Sequence, residues 1–271
     1  MTCRSVSILA SVVYVALALG GPARAANLGF EAGYDAGGAA EHDSGARAGP
    51  PPILARPGEF DAARADARAD ALVEAIRSSN PVRVRALLAA GAPANGTEGA
   101  DGIGRRPLLD AVSAGDREVA RLLLERGAHV DVKGPEGRTP LGIAALRGHV
   151  HMVRLLLQAG ADIDARGDNG NTPLLDAVQL DRLGVVRVLL AFQPDLRRPN
   201  REGLPAVALA AREGHTATLA ALLDHGADMD IVDRSGHPAL FWAVARKQRA
   251  TVALLVERGA KVGAMSVDAL D

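Results

Sequence analysis

A period of 33 residues is the feature of this sequence that most restricts its fold. A glycine recurs at Gly104, Gly137, Gly170, Gly203 and Gly236, and each step between neighbours is 33 residues. Two further series keep the same step: Ala111, Ala144, Ala177, Ala210 and Ala243, and Gly127, Gly160, Gln193, Gly226 and Gly259. Several series that agree on one period over about 200 residues indicate stacked repeats, in which each unit buries its apolar face against its neighbours.

The residues of one period predict a pair of short helices followed by a return loop. Thr139 is placed to cap a helix whose first residue is Pro140, a residue with the backbone angle that this position needs. Gly148 makes the turn to a second helix, and residues 150–157 of that helix have apolar side chains at helical spacing. Gly160 ends the second helix in a left-handed conformation, and an extended finger leads back to the next unit.

Three segments carry a resemblance to a known family. Residues 138–145 read Arg-Thr-Pro-Leu-Gly-Ile-Ala-Ala, residues 171–177 read Asn-Thr-Pro-Leu-Leu-Asp-Ala, and residues 155–162 read Leu-Leu-Leu-Gln-Ala-Gly-Ala-Asp. The chain therefore resembles the ankyrin-repeat proteins. The resemblance implies an all-α solenoid of about six helix-turn-helix units with short β-turn fingers. It places the domain at 67–271, with units near 68–102, 103–135, 136–168, 169–201, 202–234 and 235–267.

Composition agrees with helices and excludes several other classes. The chain has 271 residues, of which 48% are hydrophobic and only 3% aromatic, so Leu, Val, Ile and Ala must form the core. The single cysteine, Cys3, excludes an internal disulfide framework and a multi-cysteine zinc site. A net charge of −1 gives no electrostatic reason to expect binding to nucleic acid.

The N-terminal quarter of the chain is predicted to lie outside the fold. Residues 1–25 combine a positive start, an apolar stretch and a small-x-small pattern ending at Ala25, which is typical of a cleaved secretory signal peptide; an uncleaved membrane anchor is the alternative. Residues 26–66, rich in Gly, Ala and Pro, are predicted to be a flexible linker, within which the stretch from Glu59 onward is compatible with a helix leading into the first unit. With 3 lysines and abundant arginine, the composition suggests a bacterial, periplasmic or secreted protein.

One unit departs from the repeat pattern more than the others. The fourth unit has Asp181 where its neighbours have Gly148 and Gly214, and Gln193 where Gly160 stands one unit earlier. Because a left-handed backbone costs a non-glycine residue about 1–2 kcal/mol, this unit is predicted to be the least stable of the stack. The alternatives are drift tolerated by strong neighbours and a site shaped for a partner.

Residues with catalytic or metal-binding chemistry do not form a recognisable motif. The chain has no His-Glu-x-x-His, no phosphate-binding loop and no nucleophile elbow. The recurring pairs Asp162 with Asp164 and Asp228 with Asp230 are interpreted as turn residues, with cation binding as the alternative, and the histidines as structural. Packing is likewise preferred over partner binding for Phe241 and Trp242, although Trp is common at binding hot spots. No enzyme activity, cofactor or metal is predicted.

What the resemblance implies about binding is a concave groove lined by the fingers and the inner helices. On this chain the residues at those positions are Glu136, Arg138, Leu146, Arg147, Asn169, Asn171, Gln179, Leu180, Glu202, Leu204, Arg212, Glu213, His237 and Arg246. Leu146, Leu180 and Leu204 are expected to form an exposed apolar strip with charges of both signs around it, as in a protein-binding patch. A solvated face that binds nothing is the alternative.

The function that follows is that of an exported, non-catalytic module that binds another protein through this groove. The partner is unidentified, and neither nucleic acid nor, for the mature form, a membrane is expected; the chain itself is expected to be a monomer. The alternative is a periplasmic accessory factor that supports or restrains an enzyme, such as a peroxide-detoxifying enzyme or a toxin. A hydrolase is the least favoured hypothesis.

Overall fold

The computed structural model describes residues 57–97, 104 and 106–261, all of which belong to one unit of the chain, Leu54–Asp271. The predicted signal peptide, residues 1–25, lies outside the described residues, as do residues 26–56 of the predicted linker and residues 262–271. Within the described residues the secondary structure consists of twelve α-helices and one 3₁₀ turn, Pro135–Gly137, with no strand. The all-α fold class is therefore confirmed.

The helices form six consecutive pairs, each with an inner and an outer helix. The inner helices are α1 (Pro57–Arg77), α3 (Pro107–Ala114), α5 (Pro140–Arg147), α7 (Pro173–Gln179), α9 (Ala206–Glu213) and α11 (Ala239–Ala245). The outer helices are α2 (Pro81–Ala89), α4 (Arg117–Glu125), α6 (Val150–Gln158), α8 (Leu183–Ala191), α10 (Thr216–Asp224) and α12 (Arg249–Glu257). Each inner helix contacts the next inner helix and each outer helix contacts the next outer helix, which is the stacking that the period predicts.

Helix α1 begins inside the stretch assigned to the linker. The predicted linker extends to residue 66, with a helix considered compatible from Glu59, and in the structure the helix starts at Pro57, so residues 57–66 are helical. The physical reason is local composition. A proline suits the first position of a helix, and the following Ala, Arg and Glu residues have high helix propensity.

Capping follows the sequence unit by unit. The Thr139 and Thr172 hydroxyl oxygens accept hydrogen bonds from the backbone N–H groups of Gly142 and Leu175, both at 3.3 Å, and so cap α5 and α7. Side-chain caps are absent from the starts of α3, α9 and α11, where Arg106, Pro205 and Pro238 stand. The stack therefore keeps its geometry in units that lack the cap, because packing on both sides supplies most of the stability of a short helix.

Four fingers are closed by one repeated backbone hydrogen bond. The N–H groups of Gly134, Gly167, Asn200 and Asp233 donate to the carbonyl oxygens four residues later, at 2.9 to 3.1 Å. At the fingertip, Gly170 has φ +77°, and a Cβ there would lie 2.6 Å from the Arg201 side chain of the next finger. At Gly170 a glycine is therefore needed for two reasons, a left-handed backbone and the side chain of the following unit that lies over it.

The core runs without interruption along the stack. Its fully buried side chains come mainly from Leu, Val and Ala, such as Leu123, Leu156, Leu189 and Leu222, which are all 0% exposed and lie 33 residues apart. Thirty-three residues also separate the ends of the outer helices from α4 to α12, so each of these units contributes one layer. None of the described helices has both the length and the apolar character required to cross a membrane.

Candidate protein-binding groove

A cavity in the described part of the chain lies along the inner helices of the first three units. It has a volume of about 1150 Å³ and is lined by α1, α3 and α5, by Arg83 of α2 and by the segments that precede α3 and α5. Four of the predicted binding residues line it: Glu136, Arg138, Leu146 and Arg147. The volume is close to the upper end of the roughly 300–1,000 Å³ that is typical of ligand sites.

The repeat register relates one lining residue to the other inner helices. Ile143 lines the cavity, and the residues at multiples of 33 from it are Asp110, Asp176, Leu209 and Trp242. These five residues hold the same position on five successive inner helices. Asp176 and Leu209 are buried whereas the other three are half-buried, so both the side chain and its exposure at this position change from unit to unit.

A buried carboxylate accepts hydrogen bonds from several predicted binding residues at the fourth unit. Asp176 is 2% exposed, and its carboxylate accepts hydrogen bonds from Asn171 Nδ2 at 2.8 Å and Asn169 Nδ2 at 3.3 Å. Arg138, from the finger of the preceding unit, donates through Nε at 3.4 Å. Asn171 Nδ2 also donates to Gln179 Oε1 at 3.1 Å. Three predicted fingertip residues are thus engaged with one buried anion, which offsets the cost of burying its charge.

Arg212 forms ion pairs with two other predicted binding residues of the fifth unit. Its guanidinium forms ion pairs with Glu202 on the finger and Glu213 on the same helix, and only 14% of its side chain is exposed. Burial alone would lower the pKa of Arg212, but the hydrogen bonds to the two carboxylates raise it above its ordinary value. This cation is therefore neutralised within the protein and is a weaker recognition group than its position suggests.

An aromatic cluster occupies the groove position of the sixth unit. The rings of His237 and Phe241 stack with centroids 3.8 Å apart, and Trp242 meets Phe241 edge to face at 5.5 Å. Trp242 donates through Nε1 to Asp233 Oδ2 at 3.0 Å, and Asp233 also accepts the backbone N–H groups of Ser235 and His237. Phe241 and Trp242 are half-buried, so the cluster both packs internally and leaves aromatic surface accessible.

The structure corrects the predicted apolar strip. Leu204 is only 2% exposed, because its side chain is folded inward while its backbone bonds with Asn200 close the finger. Leu146 is half-buried and Leu180 is 42% exposed, so the accessible apolar surface comes from these two residues. Asn171, at 6% exposure, is likewise buried in the Asp176 network and is not an accessible fingertip.

The remaining predicted residues are accessible to different degrees. Arg147, Gln179, Glu213 and Arg246 are exposed, as are Glu136 and Glu202, the two glutamates that pair with arginines of the groove. Asn169 and His237 are half-buried. The fourteen predicted residues therefore divide into side chains that are accessible and side chains that are already bonded within the protein.

Sequence reasoning missed the residues that the first two units contribute. Arg77, Arg83, Arg106 and Asp110 line the cavity but were not among the predicted binding residues. Burial raises the pKa of the Asp110 carboxyl, and the nearby Arg77 opposes that change. The signal that could have found Asp110 is the 33-residue register itself, because Asp110 and Asp176 are two periods apart.

Contacts of the histidines and loop aspartates are structural in kind. Ring nitrogens of His149, His215 and His225 lie 2.9 to 3.3 Å from backbone carbonyl oxygens. Asp162 and Asp228 accept the backbone N–H groups of Asp164 and Asp230, both at 3.0 Å, as turn residues do. Among the described residues, no three His, Cys, Asp or Glu side chains are arranged to hold a metal ion.

Comparison with known families agrees with this geometry. A family model described as ankyrin repeats in three copies matches residues 129–200 and 192–266, and a second, described as ankyrin repeat, matches residues 104–135. Together the matches extend over more than half of the chain. No curated protein matches the sequence significantly.

Proposed function

The chain belongs to the ankyrin-repeat family, and on that premise we propose that it is a non-catalytic module that binds another protein through its groove. Ankyrin repeats are generally protein-interaction modules and typically non-catalytic scaffolds. The observation that carries the proposal is the cavity of about 1150 Å³, because it lies along the inner helices and fingers and has apolar and charged residues side by side. Such a mixture is typical of interfaces with a dry centre and a polar rim.

The accessible apolar residues of the groove provide the test. Leu146→Arg together with Leu180→Arg places two charges on the groove while leaving the main core untouched, since neither residue is fully buried. Partner capture by the wild-type chain, measured by quantitative mass spectrometry, should be lost in this double variant. A matched control is Val82→Arg with Val256→Arg, two exposed apolar residues on outer helices. Equal capture by the groove variant and the wild type would reject the groove.

The location belongs to the same proposal. A signal peptide at residues 1–25 would place the mature protein in the periplasm or outside the cell, and its only cysteine would be removed with the peptide. Mass spectrometry of the mature N-terminus tests this directly. An N-terminus at Ala26 supports export with cleavage, whereas an intact N-terminus would contradict it.

A narrower form of the proposal makes the bound protein an enzyme that this chain supports or restrains. Deletion of the gene, followed by peroxide challenge and by competition with neighbouring cells, tests a detoxifying enzyme and a toxin respectively. Normal survival in both assays would count against the accessory role and would leave the binding module itself in place.

A further inference from the structure

The groove over the first three units has an excess of unpaired positive charge. Its lining holds six cationic side chains and four carboxylates. Five of the cations, Arg77, Arg83, Arg106, Lys133 and Arg147, are exposed, and none of them forms an ion pair with a carboxylate of the described residues. This local excess contrasts with the net charge of −1 for the whole chain.

The carboxylates of the groove do not cancel this charge. Glu136 is paired with Arg138, which also bonds to Asp176, so this part of the lining is satisfied within the protein. The Asp110 carboxyl is half-buried, and burial raises its pKa while the charge of the nearby Arg77 opposes that change, so Asp110 offsets only part of the positive charge. With Asp70 and Glu74 it makes three carboxylates against five exposed cations.

Apolar side chains line the same cavity as these cations. Leu109 is buried, and Ile143 and Leu146 are half-buried on this lining. The cations come from five separate places, namely α1, α2, the residue before α3, the finger before α5, and α5 itself. A compact anion such as a single phosphate would reach only some of them, whereas an extended chain could reach several at once.

We propose that this part of the groove binds an extended acidic segment of a partner protein, with its carboxylates on the five unpaired cations and an apolar side chain on the strip of Leu109, Ile143 and Leu146. The inference rests on the proposed function and names the chemistry of the partner. Complementary charge provides register and association rate, and the apolar contact provides a dry centre.

The test uses the full chain and a fluorescent peptide of repeated Glu-Glu-Leu as the probe, with Gln-Gln-Leu and Lys-Lys-Leu peptides as matched ligands. The acidic peptide should bind at least about tenfold more tightly than either of the others, which corresponds to about 1.4 kcal/mol. Its affinity should fall as salt concentration rises, because the contacts are exposed to solvent. Equal binding of the three peptides, or none, would overturn the inference.

Charge-reversal variants locate the binding on the groove. Arg106→Glu with Arg147→Glu should weaken binding of the acidic peptide by about tenfold or more, as expected when two surface ion pairs become repulsions. Arg154→Glu with Arg187→Glu is the matched control, because both residues are exposed on outer helices and the change in net charge is identical. An equal loss in the control would show that only the overall charge matters and would reject the groove assignment.

Three further outcomes separate this inference from its alternatives. Asp110→Asn removes the one half-buried carboxylate from the floor and should strengthen binding of the acidic peptide. A single-stranded oligonucleotide that binds as tightly as the peptide and competes with it would overturn the inference in favour of general polyanion binding. If the acidic peptide does not bind while the Leu146 and Leu180 variant still loses its protein partner, the acidic class is wrong and the proposed function stands.

Discussion

The third and fourth units have the same backbone conformation, but different residues occupy the two turn positions with positive φ. In the third unit Gly148 and Gly160 adopt φ values of +78° and +87°. In the fourth unit Asp181 and Gln193 stand at the same positions with φ of +51° and +56°. The backbone therefore persists where the sequence opposes it, because the neighbouring units hold both ends of each helix pair in place.

Asp181 and Gln193 differ in what compensates for this strain. Asp181 Oδ1 accepts a hydrogen bond of 2.6 Å from the hydroxyl of Thr218, a residue that is 0% exposed on the next outer helix. Gln193 is exposed, and no side-chain hydrogen bond joins it to another described residue. Asp181 thus replaces a glycine and gains a hydrogen bond to the next unit, whereas Gln193 replaces a glycine and adds only backbone strain.

The largest effect in this comparison is expected at Asp176, which joins the third unit to the fourth. Asp176→Ala removes the acceptor of Arg138, Asn169 and Asn171. Leaving buried donors unpaired should lower the free energy of unfolding by about 1–3 kcal/mol, which chemical denaturation can measure. The control is Asp176→Asn, which keeps the side-chain volume and one acceptor oxygen and should therefore cost less. An Asp176→Ala variant as stable as the wild type would mean that the network does not connect the two units.

Exchanging the residues of the two inner turns tests compensation directly. Gly148→Asp should destabilise the protein by about 1–2 kcal/mol, because an aspartate in the left-handed region gains strain and its Cβ would lie 3.1 Å from Arg182 Cδ. Asp181→Gly should be close to neutral, since relief of strain offsets the lost bond to Thr218. Thermal denaturation of the two variants measures the difference. Equal effects in both directions would contradict the role given to Thr218.

A smaller effect, a gain in stability, is expected at Gln193, the second turn of the fourth unit. Gln193→Gly should stabilise the protein by up to about 1 kcal/mol, since the strain relieved exceeds the added chain entropy of glycine. Hydrogen exchange of the amides of α8 should slow in this variant. In the wild type the same amides should exchange faster than those of α6, and equal protection of the two helices would reject the prediction that the fourth unit is the least stable.

The smallest effect is expected at Asp110, which has the position of Asp176 two units earlier but lies half-exposed. Because burial raises its pKa above the unfolded value of 3.8, the charged carboxyl opposes folding at neutral pH. Asp110→Asn should therefore be neutral or stabilising by less than about 1 kcal/mol at pH 7. The difference in stability between the variant and the wild type should vanish as the pH falls through the raised pKa to below 3.8, because the carboxyl is then protonated in both the folded and the unfolded state. A variant that is less stable at pH 7, or a gap independent of pH, would contradict this.

Much of the fold could be predicted from the sequence. The 33-residue series located the helix pairs, the caps at Thr139 and Thr172, and the left-handed turns, since each depends on local backbone preferences and on a pattern repeated several times. The start of α1 at Pro57 was anticipated only in part, because a stretch rich in Ala and Arg is compatible both with a linker and with a helix.

The candidate site was predicted less completely. Periodicity identified the fingers and inner helices, but it could not tell which side chains would be free. Leu204 is buried, and Arg138 and Asn171 are committed to Asp176, because the partners that decide this come from adjacent units. The unpaired cations of the first two units escaped notice, since residues far apart in sequence meet only when the inner helices stack.

The sequence by itself determined the architecture of this protein: a 33-residue period whose glycines, caps and apolar faces recur is satisfied by stacked helix pairs. Only the tertiary structure decided which charges remain available on that stack. Asp110 and Asp176 stand at the same position of the repeat, yet one faces an open groove and the other is enclosed by three donors. The physical reason is that burial and pairing depend on neighbours in space, whereas backbone conformation depends chiefly on neighbours in the chain.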